Sequence, residues 1–416
     1  MAKLSVRDLD TQGKRVLMRV DYNVPMEEKS GVMVINDTTR IKETLPTLQL
    51  LISKGARIVL AAHLGRPDGK REASMSLKPV AEKLAEMLGR PVQFVDETVG
   101  EKAEAAVAAL KDGEILVLEN VRFAAEEEEN DPVFAARLAR LADIYVNDAF
   151  GAAHRAHAST SGAARILKAW GKPCAAGLLM ERELKFLGDE LDHPVRPFVV
   201  ILGGAKVSDK IKVIDSLLEK ADTILIGGAM AYTFKLAHGG KTGKSLIEKD
   251  HTGTALAAEA KAKAKNVAFH LPSDTVVATP VATGKLNKKG KPVFEFVEPR
   301  VVEGDIPDDA EGFDIGPKTA AAYAEIVAGA KTILWNGPMG MFEDERFATG
   351  TVAVAKALAA VTEKGAKTII GGGDSVKAIN KAKLGDKVTF MSTGGGASLE
   401  FLEGISLPGV TALDDK

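Results

Sequence analysis

Alternation constrains this chain most: short β-rich runs and longer amphipathic runs follow one another almost from end to end. In the first half the strand candidates are 15–20 ("RVLMRV"), 56–62, 92–95, 114–120 and 143–148. Between them lie patterns such as "RIKETLPTLQLLISKG" and "LKPVAEKLAEMLG", with apolar residues three and four apart, the period of a helix with one buried face. The second half repeats the theme at 197–204, 222–228, 331–337, 367–373 and 387–393. Repeated strand–helix–strand units predict parallel sheets covered by helices on both faces. The fold class read here is α/β, with two doubly wound, Rossmann-like domains.

A length of 416 residues favours two or three domains over one, and 45% hydrophobic content is enough for sizeable cores. The divide is expected in the helical run 178–191, just before the proline-bearing "DHPVRPF", giving domains at 1–180 and 181–404. The stretch 281–299 breaks the alternation and reads as a hairpin or surface excursion. Its lysines read as a solvated face.

Charge excludes some function classes. Fifty-five basic residues meet 57 acidic ones, so no whole-chain field points to nucleic acid or a membrane surface. Cys174 is the single cysteine, which rules out an internal disulfide and suits a reducing compartment. No apolar run is long enough to span a bilayer and the N-terminus lacks a secretory pattern, so a cytoplasmic protein is expected.

One motif invites a false reading. "GGKTGKS" at 239–245 suggests a phosphate-binding loop, but that loop needs four residues between its glycine and the Gly-Lys pair. Counting back from Gly243 gives His238, not glycine, and the preceding pattern is helical where the motif requires a strand. The expectation is a glycine turn ending a helix, followed by an exposed basic loop.

Better anion sites follow other strands. "GGGDS" (371–375) and "STGGGASLEFLEG" (392–404) each lead from a strand through glycines into a helical pattern. Glycines let phosphate approach the backbone, and a helix N-terminus adds free N–H groups and partial positive charge. Asp374 either caps its helix or holds Mg²⁺ beside phosphates. In "GGAKVSDKIKVI" (203–214), Lys206 and Lys210 share a face if the helix begins near Val207. They are either surface lysines or movable charges for a transferring phosphoryl group.

The first half carries a different signature. "RVDYNVP" places Arg19, Asp21 and Asn23 on alternate positions, hence on one face while the chain stays extended. Arg40 opens a helix, and His63, Arg66, Arg122 and Arg155 follow strands, with His154 and His157 beside Arg155. Arginines recurring at the ends of one sheet suggest a convergent anion pocket, because the guanidinium fork binds phosphate and carboxylate bidentately. A metal site at His154 and His157 ranks below that reading, since no third ligand lies nearby in sequence.

Together "RVDYNVP", "HLGRP", "LENVRF", "NDAFGAAHRAHAS", "GGAKVSDKI", "WNGPMGMFE", "GGGDS" and "STGGGASLEFLEG" resemble the phosphoglycerate kinase family, in order and over nearly the whole chain. The resemblance implies two domains facing each other across a cleft and joined by a hinge helix. The tail 405–416 would pack near the first domain. It also implies reversible phosphoryl transfer from 1,3-bisphosphoglycerate to MgADP, giving 3-phosphoglycerate and MgATP, by a monomeric enzyme that closes by hinge bending. Partners are these small molecules, with no nucleic acid or membrane.

Carried onto matching positions, Asp21, Asn23, Arg40, His63, Arg66, Arg122 and Arg155 hold the glycerate. Gly204, Lys206, Lys210, Gly227, Gly228, Asn336, Glu343, Gly371, Gly372, Gly373, Asp374 and Ser375 surround the nucleotide, with Asp374 on Mg²⁺. Arg40, Lys206, Lys210, Gly395 and Gly396 act on the phosphoryl group. Ala229 departs from the family's third glycine and is expected to narrow the nucleoside pocket slightly. Two other readings compete. A dinucleotide-dependent dehydrogenase lacks the required G-x-G-x-x-G. The alternative, a non-catalytic nucleotide-binding protein of the same fold, would be expected to have lost the charged residues that remain here.

Overall fold

The computed structural model describes residues 2–287 and 290–416. Contacts divide the chain into two units, Met1–Lys185 with Ile405–Lys416, and Phe186–Gly404.

The first unit is built on a six-stranded parallel sheet. Its strands and a small hairpin run β1 (Arg15–Val20), β2 (Met26–Lys29), β3 (Val32–Ile35), β4 (Arg57–Ala61), β5 (Gln93–Val95), β6 (Ile115–Leu118), β7 (Ile144–Asp148) and β8 (Cys174–Ala176). The sheet order is β5-β6-β4-β1-β7-β8, while β2 and β3 pair only with each other. β1 is central because both its faces are covered: Val16, Leu17, Met18 and Val20 are fully buried. In the helix Thr39–Ser53 the buried residues Ile41, Thr44, Leu48 and Leu51 recur at helical spacing and face the sheet. The tail joins this unit: Asp414 exchanges backbone hydrogen bonds with Cys174 and Leu4.

The second unit repeats the plan. β9 (Phe198–Leu202), β10 (Thr223–Ile226), β11 (Ala268–His270), β15 (Thr332–Asn336), β16 (Lys367–Gly371) and β17 (Phe390–Met391) form a parallel sheet in the order β11-β10-β9-β15-β16-β17. Between them, β12 (Asp274–Leu286), β13 (Pro292–Glu303) and β14 (Glu311–Ile315) make an antiparallel side sheet. The excursion expected at 281–299 is the outer part of the β12–β13 hairpin; Lys288 and Lys289 lie outside the described residues. Tilted and stacked contacts among Phe296, Phe313 and Phe347 fasten the hairpin base.

Two elements differ from the sequence reading. The last strand is only Phe390–Met391 rather than 387–393, because Thr368 and Thr389 each accept the other's backbone N–H through a side-chain hydroxyl, replacing ladder bonds. The helical run after β8 is not uniform: Leu178–Leu184 is α-helical, Lys185–Asp189 is a π-helical turn and Glu190–Asp192 is α-helical again. The boundary between the two units falls inside that turn. No helix is long and apolar enough to cross a membrane.

Candidate functional site

In both sheets the chain leaves a central strand in one direction and later returns to its other side. The carboxyl ends flanking such a reversal form a ligand crevice in open α/β sheets. In the second unit the reversal lies between β9 and β15. In the first, β1 stands between β4 and β7.

At the edge of the first unit, β1 delivers Arg19 and then Asp21 and Asn23. Arg19 is 1% exposed, so it lies beneath the site rather than on a shared open face with the other two. Its Nε donates to Ser159 Oγ (2.8 Å), one Nη to the Val20 carbonyl and the other to His63 Nδ1 (3.0 Å). Asp21 pairs with Arg40, which the Asp37 carboxylate helps place by accepting the Thr39 N–H at the start of its helix. Burial raises the Asp21 pKa, but the charges of Arg40 and Arg19 pull against it and the carboxyl stays below its usual range.

Asn23 is turned onto the neighbouring loop, where its carbonyl accepts the Gly65 N–H (2.9 Å). Arg122 reaches the same loop through the Gly65 carbonyl (2.9 Å) and also pairs with Glu128 (3.2 Å). Burial pushes the Arg122 pKa down. Arg66 and Arg155 are exposed. His157 is driven to about 4 by burial and then by Arg122, Arg19 and Arg155, so it is neutral at neutral pH. Among the described residues no three His, Cys, Asp or Glu side chains cluster as metal ligands.

Sequence reading missed Glu127. In the acidic run 126–129 it is the one buried residue. It accepts both the N–H (2.8 Å) and the hydroxyl (2.6 Å) of Ser159. A run of four glutamates reads as a solvated face, and only helical phase singles one out.

The second unit gathers its candidates differently. β9 ends at Gly203–Gly204, β10 at Gly227–Gly228, β15 at Asn336–Gly337 and β16 at Gly371–Gly372. Gly337 has φ +101°, and a Cβ there would run into the Gly203 backbone. Gly228 has φ +69°, and a Cβ there would lie 2.5 Å from the Gly204 backbone. These glycines let backbone meet backbone at the reversal point.

Lys206 and Lys210 do not share a helix face. The helix begins at Ile211, not Val207, because Ser208 is captured through its N–H (3.0 Å) and hydroxyl (2.6 Å) by Glu248. Lys206 is left on an exposed loop, while the Lys210 ammonium donates to the side-chain carbonyl of Asn336. Burial lowers the Lys210 pKa to about 8 against the upward pull of Asp209, Asp374 and Glu403. The Asn336 amide nitrogen is buried with no hydrogen-bond partner among the described residues.

The helix Gly373–Lys381 is tied at both ends to the loop after β15. Near its start Ser375 Oγ accepts the Gly337 N–H (2.6 Å). At its end Lys381 donates to the Phe342 (2.8 Å) and Glu343 (3.0 Å) carbonyls. Lys381 was not anticipated; nothing in the local sequence marks it. Asp374 is exposed at the helix N-terminus and pairs with Lys377 at 2.9 Å. Gly395 has φ +53° and leads into the helix Gly396–Leu402. Ala229 precedes the helix Met230–Ala237 at φ −65°, where no glycine is needed, and it packs beside Tyr232, Val277, Ile306 and Ala310.

In the basic loop 239–245 most backbone donors are already in use. Gly239, with φ +79°, follows the helix Met230–Ala237 as a glycine turn. The N–H groups of Gly239, Gly240, Lys241, Lys244 and Ser245 all donate to protein acceptors. A phosphate nest needs such groups free.

A family model for phosphoglycerate kinase matches residues 6–405. The chain belongs to the phosphoglycerate kinase family. Among its relatives, the phosphoglycerate kinase of Solibacter usitatus is 53% identical over 415 residues, and that of Chlorobium chlorochromatii 51% over 415, each covering all of both chains. The solved phosphoglycerate kinase of Coxiella burnetii matches with a TM-score of 0.85 at 40% identity, covering 99% of this chain and 98% of that one. That of Pyrococcus horikoshii gives 0.78 at 35%, with the same coverage. Membership makes this phosphoglycerate kinase homologue a phosphotransferase with ADP and ATP as its nucleotides, and the non-catalytic alternative is not favoured.

Proposed function

We propose that the chain passes a phosphoryl group reversibly between the acyl phosphate of 1,3-bisphosphoglycerate and ADP, with glycerate held by the first unit and nucleotide by the second. The observation that carries this reading is Lys210: a largely desolvated ammonium with a neutral amide as its hydrogen-bond acceptor. A cation removed from water is costly unless an anion meets it. Nucleotide phosphates at the glycine-lined ends of β9, β15 and β16 are that anion.

Such a transfer needs in-line positioning and neutralised equatorial oxygens more than a protein nucleophile. The acceptor carboxylate is already ionised at neutral pH, so no general base is needed. Lys206, Lys210 and Arg40 supply charge, with the N–H groups at Gly395 and Gly396. Asp21, Asn23, His63, Arg66, Arg122 and Arg155 orient the glycerate. Gly204, Gly227, Gly228, Asn336 and Glu343 receive the nucleoside side, and Gly371, Gly372, Gly373 and Ser375 line the phosphate end.

The residues fit a Mg²⁺ that arrives with the nucleotide better than a resident ion. One exposed carboxylate, Asp374, stands at a helix N-terminus, and Mg²⁺ is commonly held by one or two carboxylates plus substrate phosphates. When bound, the ion offsets phosphate charge. The two substrates meet by hinge bending about the helical run 178–191. Small-angle scattering is expected to show compaction only with both substrates present; equal dimensions in the free and ternary states overturn that step.

The deciding experiment is a coupled assay of ATP formation from 1,3-bisphosphoglycerate and MgADP. The parent turns over, and Lys206→Ala and Arg40→Ala each lose roughly a hundredfold or more in kcat. A parent without turnover overturns the function, and unchanged variants overturn the assigned roles.

A further inference from the structure

Four buried side chains beneath the glycerate site form one directional chain of hydrogen bonds: Glu127, Ser159, Arg19 and His63, exposed by 0%, 0%, 1% and 6%. Each link has its donor fixed by chemistry. A guanidinium only donates and an ionised carboxylate only accepts. Arg19 Nε therefore gives its proton to Ser159 Oγ (2.8 Å), and Ser159 spends its own on Glu127 Oε1 (2.6 Å). At the other end, Arg19 donates to His63 Nδ1 at 3.0 Å. That nitrogen must be an acceptor, which leaves the ring proton on Nε2.

We infer that Glu127, Ser159 and Arg19 are positioning residues that lock His63 as the neutral Nε2–H tautomer, so that His63 offers the glycerate site one N–H donor rather than a positive charge. An acceptor oxygen of the substrate is the matching chemistry. Among the described residues the His63 ring hydrogen-bonds only through Nδ1, which leaves Nε2 for the substrate.

The surroundings agree. Asp21, Arg19, Arg122 and Arg40 face the imidazole, and burial followed by Arg19 holds its pKa well below the usual value, with Asp21 opposing. A fourth cation beside three arginines would repel them. Glu127, on the far side of Ser159, offsets Arg19 without reaching the imidazole, so Arg19 stays directed at Nδ1. Burial raises the Glu127 pKa, while Arg19 and the two Ser159 bonds pull it back.

The consequence rests on His63 belonging to the glycerate site, but the tautomer itself does not. It is read without substrate on the intact protein, so its failure is distinct from failure of the turnover assay. Long-range ¹⁵N–¹H correlation spectra of the histidine rings are recorded from about pH 5.5 to about pH 8, where an ordinary imidazole titrates. His63→Gln assigns the signal. The expected pattern is a bare Nδ1 and a protonated Nε2 throughout. A proton on Nδ1, averaged tautomers or titration inside this range overturns the inference.

Ser159→Ala then cuts the link between Glu127 and Arg19. His63 is expected to move toward averaged tautomers, and KM for 3-phosphoglycerate to rise roughly tenfold with kcat little changed. Ser159→Thr, which restores the hydroxyl, recovers both. An unchanged spectrum and KM in a folded Ser159→Ala protein overturn the relay.

Discussion

The two units share a sheet plan and gather their candidate residues at the carboxyl ends of the strands, yet under the proposed function they meet anions in different ways. The first holds buried, restrained side chains: Arg19, Asp21, His63 and Glu127 are nearly inaccessible, with Arg19 bonded to His63, Glu127 joined to Arg19 through Ser159, and Asp21 paired with Arg40. The second relies on backbone, with glycine turns stacked at the strand reversal while Lys206 and Asp374 stand exposed. Rigid side-chain networks suit one small substrate with many distinct oxygens. Backbone turns suit repeated phosphates, where shape and free N–H groups matter more than identity.

That contrast can be broken most severely from the backbone side. Gly337→Ala adds a Cβ at positive φ against the Gly203 backbone and is expected to cost about 3 kcal/mol of stability. Denaturant unfolding measures it; a loss below about 0.5 kcal/mol would show that the turns yield easily.

Lys210 is the next test. Its folded pKa lies near 8, below the usual lysine value, so the ammonium proposed to meet phosphate is present below that pH and lost above it. The expected kcat/KM for ADP is level up to about pH 8 and falls about tenfold per unit beyond. In Lys210→Arg, whose charge persists, the alkaline limb disappears; a limb that survives assigns it to another group.

A smaller effect is expected at Lys381, whose ammonium holds the Phe342 and Glu343 carbonyls. Lys381→Met should raise KM for ADP about fivefold with kcat nearly intact, and Lys381→Arg should recover it. A fall in kcat with KM unchanged counts against a role in nucleotide placement. The least effect is expected from Lys244→Ala, because most of the loop's N–H groups, that of Lys244 included, already donate to protein acceptors. Steady-state turnover within twofold of the parent is the expected result, and a large loss would restore the phosphate-loop reading.

The sheets were legible in sequence because strands buried on both faces leave continuous apolar runs, as in Val16–Met18 and Phe198–Leu202. Glycines after strands were legible for a similar reason, since close backbone approach tolerates nothing else. What stayed hidden depends on partners far along the chain. The helix expected at Val207 starts at Ile211 because Ser208 is held by a glutamate forty positions on. Arg19 faces inward because Ser159 and His63 wait for it. Glu127 looked like its charged neighbours until the helix chose which carboxylate to bury.

The tail has a consequence for how the molecule comes into being. Asp414 binds the Cys174 backbone, and the Gly409 carbonyl accepts the buried Asn147 amide, so the first unit is finished by residues made after the whole second unit. Domains usually mature in the order of synthesis. Here a ribosome delivers every residue of the second unit before the segment Ile405–Lys416 is free to seat. Of the two units, the one begun first is therefore the one completed second, and a chain stopped before Ile405 has a whole second unit and an unfinished first one.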